Sequence, residues 1–74
     1  MDTEYVEVKF PDGRTVYIDE KDSGPTNKIL RVNTGAHEFD LGTPKNYRPE
    51  KISSVIKDTN ELEPAVIEFE KVAA

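Results

Sequence analysis

The chain has 74 residues, 35% hydrophobic and 34% charged, with no cysteine. That length supports one domain with a thin core and no deep cleft, and the lack of cysteine excludes a disulfide framework, a thiolate zinc site and a thiol nucleophile. The formal charge of −5, from 15 acidic against 10 basic residues, opposes nucleic acid and anionic membrane faces as partners, because negative charges repel phosphate. Lys45, Arg48 and Lys51 come nearest to a basic patch, and Glu50 interrupts them.

Residues 4–10 place Val6, Val8 and Phe10 on one face and Glu7 and Lys9 on the other, the period-two pattern of a half-buried strand. Pro11-Asp12-Gly13 follows as a tight turn, and residues 14–19 alternate again with Val16 and Ile18 inward. Two such runs across such a turn predict a hairpin. Glu20 to Lys28 read as a polar loop broken by Gly24-Pro25. A strand restarts at 29–32 with Leu30 and Val32 inward. Asn33-Thr34-Gly35 turns it, and residues 36–41 return with Phe39 and Leu41 inside, repeating the logic of the first hairpin. Gly42 to Asn46 form another turn cluster, ahead of Tyr47-Arg48-Pro49.

Residues 50–58 admit two readings. Ile52, Val55 and Ile56 have helical spacing, and Pro49-Glu50 suits a helix start, which would allow a ubiquitin-like β-grasp fold. The β-branched residues, the weak helix formers Ser53 and Ser54 and the surrounding strands favour a strand. Asp58 to Pro64 form an acidic, turn-rich loop. A last strand over 65–72 turns Ala65, Ile67 and Phe69 inward, with Lys71 and the terminal alanines expected to fray. About six strands, with turn signals roughly every 8–12 residues, predict an all-β domain: a small two-layer antiparallel β-sandwich of prealbumin or immunoglobulin type.

Candidate chemistry is sparse. His37, the only histidine, shares a face with Phe39 and Leu41 and lacks the further ligands that zinc needs, so its expected state is a partly buried ring bonded to a neighbouring loop. Asp19-Glu20-Lys21-Asp22 imitates a calcium loop, but Lys21 opposes a divalent ion, and a solvated loop is expected; Glu61 and Glu63 are read the same way. Paired carboxylates for glycoside hydrolysis need a cleft between them, and phosphate binding needs a glycine-rich loop leading into a helix. Neither pattern is visible, so no catalytic, cofactor-binding or metal-binding residue is assigned. Tyr5 and Tyr17 are expected on an outer sheet face, as cross-strand neighbours, while Tyr47 anchors a loop. The three tyrosines are the candidates for an interaction surface.

Residues 14–70 resemble the PEGA family of small β-sandwich modules. The resemblance is carried by Val16-Tyr17-Ile18-Asp19, Gly24-Pro25-Thr26, Leu30 to His37, Phe39-Asp40-Leu41 and Asn46-Tyr47-Arg48-Pro49. Thr34 stands where the family often has proline, and Asn46 where it often has glycine. The resemblance implies one domain over 1–74, a non-enzymatic accessory module of bacterial or archaeal multidomain proteins, often at the cell surface, and it supplies no catalytic residue.

The resulting expectation is a structural or protein-interaction module whose partner is another protein or a neighbouring domain. It would make contact through the edge of its first or last strand, limited by Lys9, Glu68 and Glu70, or through the loops around Gly24, Gly35 and Tyr47. The alternative is carbohydrate binding on a platform of Tyr5 and Tyr17. The start, Met1-Asp2-Thr3-Glu4, lacks the basic and apolar segments of a secretory signal, and no apolar run can span a bilayer. A cytoplasmic location is expected for the chain as written, and a cell-surface one if it is cut from a longer secreted protein.

Overall fold

Every inward position named from side-chain alternation is buried or partly buried, within a strand or, for Phe10, Leu41 and Phe69, directly after one. A computed structural model describes residues 3–72, which form β1 (Thr3–Lys9), β2 (Thr15–Ile18), β3 (Lys21–Pro25), β4 (Ile29–Asn33), β5 (Gly35–Asp40), β6 (Tyr47–Arg48), β7 (Ile52–Ile56), β8 (Ala65–Glu68) and β9 (Glu70–Lys71). The expected fraying of the terminal alanines lies outside the described residues, whereas Lys71, expected to fray with them, pairs with Tyr47 in β9. Val6, Val8, Val16, Phe39, Leu41, Ile56 and Phe69 are each no more than 2% exposed, and Phe10, Ile18, Leu30, Tyr47 and Ile67 complete one core. Burial of each such side chain contributes about 1.5–3 kcal/mol.

The strands form a three-stranded sheet in the order β4-β1-β8, a four-stranded sheet in the order β3-β2-β5-β7, and the small pair β6-β9. The result is a small all-β sandwich. Residues 50–58 carry a strand and no helix, which removes the β-grasp reading. Pairing is antiparallel with one exception: β8 runs parallel to β1, with Val6 opposite Ala65 and Lys9 opposite Glu68.

Both expected hairpins are corrected. Across Pro11-Asp12-Gly13, β1 and β2 enter different sheets, and across Thr34, so do β4 and β5. The loop expected at 20–28 instead holds β3, and the true hairpin tip is Asp19-Glu20, whose φ values of 52° and 69° are those of a type I′ turn. β1 and β2 therefore form one arm of a long ribbon, and β3 and β4 the other. Thr3 faces Asn33 and Glu7 faces Ile29 at one end, and Thr15 faces Pro25 and Ile18 faces Lys21 near the tip. The ribbon bends between the sheets.

The bend has identifiable fasteners. Phe10 N–H donates to Asn27 Oδ1 at 3.2 Å, and Asn27 Nδ2 donates to Phe10 C=O at 2.8 Å, so the amide side chain replaces a ladder residue. The buried Thr26 hydroxyl accepts from Arg14 N–H and donates to Asp12 C=O, both at 3.0 Å. Asn27 takes φ 62°, a conformation that Asn tolerates better than most residues. Gly24, with φ +129°, passes close under Leu30: a Cβ there would sit 2.7 Å from Leu30 Cδ2.

The expected last strand is two elements. After β8 the chain leaves the sheet at Phe69, whose N–H still donates to Lys9 C=O at 3.1 Å, and β9 then pairs with β6. Tyr47 on β6 meets Phe69 and Phe10 edge-on, with centroids 5.4 and 6.3 Å apart.

Candidate functional site

β1 is the central strand of its sheet, so the expectation that the first strand forms an edge is corrected; the edges of the two larger sheets are β4, β8, β3 and β7. Because β1 is flanked on both sides, its outward residues sit in cross-strand rows. Glu7 lies opposite Ile29 on β4 and Val66 on β8, and Tyr5 lies opposite Arg31. All share the face opposite Val6 and Val8. Ile29 is 46% exposed and Val66 56%. Leu62, in the β7–β8 connection, is 92% exposed. It borders a shallow depression of about 440 Å³ together with Tyr5, Ile29, Arg31 and Glu61. Exposed apolar side chains therefore share this outer face with charges of both signs, Ile29 and Val66 flanking Glu7 across the strands and Tyr5 standing beside Arg31.

The three tyrosines do not form one surface. Tyr5 lies on the outer face of the three-stranded sheet, and Tyr17 lies on β2, opposite Asp22 and Asp40 in the other sheet. They are not cross-strand neighbours, so the shared stacking platform is lost. The Tyr17 ring lies against Gly42, where a Cβ would come within 2.7 Å of it. Tyr47 is 3% exposed and cannot meet a partner. Its hydroxyl accepts from Leu41 N–H at 3.2 Å and donates to Gly42 C=O at 2.8 Å, which is the anchoring role expected of it.

His37 is a partly buried ring bonded to neighbouring turns, as its phase with Phe39 predicts. Nδ1 lies 2.6 Å from Asp19 Oδ2 at the hairpin tip, and Nε2 lies 2.6 Å from Asn33 C=O at the β4–β5 corner. Both partners are acceptors, so making both bonds at once requires a proton on each ring nitrogen, which is the cationic form of the ring. Partial burial pulls the His37 pKa down, but the hydrogen bonds to Asp19 and Asn33 and the Asp19 charge outweigh it, and the net shift is upward. The bond from His37 and a second from Glu38 N–H hold the Asp19 carboxyl below its ordinary range. The acidic stretch at 19–22 is thus a hairpin tip. Among the described residues, no group of three or more His, Asp or Glu side chains is placed to hold a metal ion.

Two polar residues were missed by sequence reading. Glu4 is buried and receives Thr34 Oγ1 at 2.5 Å, Thr59 Oγ1 at 2.6 Å and Thr59 N–H at 2.9 Å. These bonds, the one from Thr34 foremost, lower its pKa. Its phase with Val6 and Val8 was the available signal. Arg14 donates to Asn46 Oδ1 and to the Leu41 and Pro44 carbonyls at 2.7–3.0 Å, with its guanidinium 5.5 Å from the Tyr47 ring centroid. A carboxylate and a guanidinium so fully engaged within the fold act as structural ties.

A larger depression of about 560 Å³ lies beside β6 and β9, floored by Phe10, Pro11, Pro49 and Phe69. Among the charges at its rim, Arg48 lies 3.4 Å from Glu70 and Lys71 lies 2.6 Å from Asp12. Compared with protein-family models, curated proteins and solved structures, the chain finds no match in any of the three.

Proposed function

We propose that this domain is a non-enzymatic protein-interaction module that binds another protein or a neighbouring domain through the outer face of its three-stranded sheet. The observation that carries this reading is the collection of Ile29, Val66, Leu62 and Tyr5 on that one face, beside a shallow depression bordered by Arg31 and Glu61. Apolar side chains gathered on an exposed face and ringed by charges are the composition of a protein contact, with the charges setting orientation. The PEGA-like order of turns and strands, carried by Leu30 to His37, Phe39 to Leu41 and Asn46 to Pro49, supports an accessory role from the sequence side.

A photo-crosslinking residue at position 62 tests this. The expected result is a discrete protein adduct that disappears in Ile29→Lys and Val66→Lys variants of unchanged melting temperature. Adduct formation indifferent to both substitutions would refute it.

A further inference from the structure

We propose that the free edge of β7 pairs with β7 of a second copy of this chain, about a two-fold axis through Ser54, to form a closed dimer with one continuous sheet. This edge belongs to the sheet opposite the surface proposed above, so either proposal can fail without the other.

The stretch Lys51-Ile52-Ser53-Ser54-Val55-Ile56-Lys57 is close to palindromic. In antiparallel register about Ser54, Ile52 of one copy faces Ile56 of the other, twice over, and Ser53 faces Val55. Ser54 faces itself. The parity of the two faces is preserved, because Ile52, Ser54 and Ile56 lie on the inward side and Ser53 and Val55 on the outward side. Ile52 and Ile56 would thereby extend both cores across the junction, and Val55, 62% exposed, would gain a neighbour. The joined sheet would run β3-β2-β5-β7-β7-β5-β2-β3.

The other edges are unsuited to such pairing. β3 contains Gly24 and Pro25 and carries a register shift opposite Val16 and Tyr17. β8 spans four residues, follows Pro64, and ends where the chain departs toward β9. β4, paired about its middle, would set Arg31 against Arg31, a like-charge contact that disfavours association. β7 alone has five residues with no proline, glycine or charge, and a small neutral residue at its centre. A two-fold contact uses the same edge on both copies and leaves no β7 edge free, so it closes at two rather than growing.

Lys51 and Lys57 would lie opposite one another at both ends, and each copy carries net negative charge. Lys51 already lies 3.6 Å from Glu20 of its own chain, which offsets part of that repulsion. Both repulsions are screened by ions, so added salt strengthens the dimer, whereas salt weakens a contact built on opposite charges.

Sedimentation equilibrium of the full chain, at rising concentration and at low and high salt, reads this directly. A contact one strand wide is below ordinary stable-dimer size, so the expected dissociation constant is on the order of 0.1–1 mM. It should fall with added salt and rise at least tenfold in Val55→Lys, with the circular dichroism unchanged. Because the chain lacks cysteine, Ser54→Cys supplies a second readout: directly opposed thiols meet the Cα spacing of a disulfide, and oxidation yields a covalent dimer, whereas Ser53→Cys, opposite Val55, yields far less. A chain monomeric at every concentration, assemblies larger than two, a dimer indifferent to Val55→Lys, or equal crosslinking by the two cysteine variants would each overturn the proposal.

Discussion

Removing a single oxygen, in Tyr47→Phe, isolates the part Tyr47 plays. The phenol is buried, and its hydroxyl bridges Leu41 N–H and Gly42 C=O at 3.2 and 2.8 Å. The aromatic contacts with Phe10 and Phe69 and the approach of the Arg14 guanidinium persist in phenylalanine. What is lost is one good hydrogen bond and one long one, and a buried Leu41 N–H is left without a partner. An orphaned buried donor costs about 1–3 kcal/mol, while the Gly42 carbonyl is only partly buried and regains water. The expected loss is therefore about 1–3 kcal/mol, against the roughly 4–11 kcal/mol that 74 residues sustain. In thermal melts this corresponds to a fall of roughly 4–8 °C per kcal/mol. Urea titration followed by far-ultraviolet circular dichroism measures it, with the denaturant slope unchanged because the surface exposed on unfolding is unchanged. A variant within about 0.5 kcal/mol of the parent, the range of ordinary surface substitutions, would show that the hydroxyl ties nothing down.

Gly24→Ala forces a Cβ to within 2.7 Å of Leu30 Cδ2 at φ +129°, and chemical denaturation should show a loss of about 1–3 kcal/mol. Asn27→Ala deletes both bonds to the Phe10 backbone and leaves a left-handed alanine, while Asn27→Gly deletes only the bonds; glycine should be the more stable of the two by about 1 kcal/mol in urea melts. His37 and Asp19 predict a pH dependence with a definite sign. The His37 pKa is raised above 6.5 in the folded chain, so its contribution is full below pH 6.5 and is lost as pH rises through the folded value. The Asp19 pKa is lowered below 3.8, so its contribution is full above pH 3.8 and is lost as pH falls through its folded value; Glu4, lowered from 4.5, adds to the same acid limb. Melting temperature against pH should therefore decline on the alkaline side of His37 in the parent and stay flat there in His37→Gln, and equal declines in both would rule out the assignment.

The partition of each run into core and surface was legible in the sequence. Val6, Val8, Val16, Ile18, Phe39, Leu41, Ile67 and Phe69 are buried as alternation demands, because consecutive side chains in a strand point to opposite faces whatever the strand pairs with. The role of His37 was legible for the same reason. Glu4 obeyed the alternation too, but its partners Thr34 and Thr59 lie 30 and 55 positions away, so nothing local marked it as a tie. Asp19-Glu20 gave no glycine or asparagine signal for its left-handed turn, and β3 hid inside a polar stretch for that reason.

Chain composition and side-chain periodicity determined by themselves that this is a thin all-β domain with these residues inside. Tertiary structure decided which strands meet: the turns at Pro11-Asp12-Gly13 and Thr34 became corners between sheets, the first strand became central, and Tyr47 turned inward. The physical reason is range. Alternation is set between residues one and two apart, whereas pairing depends on distant groups such as Asn27 on Phe10 and β8 on β1, whose meeting no local pattern encodes.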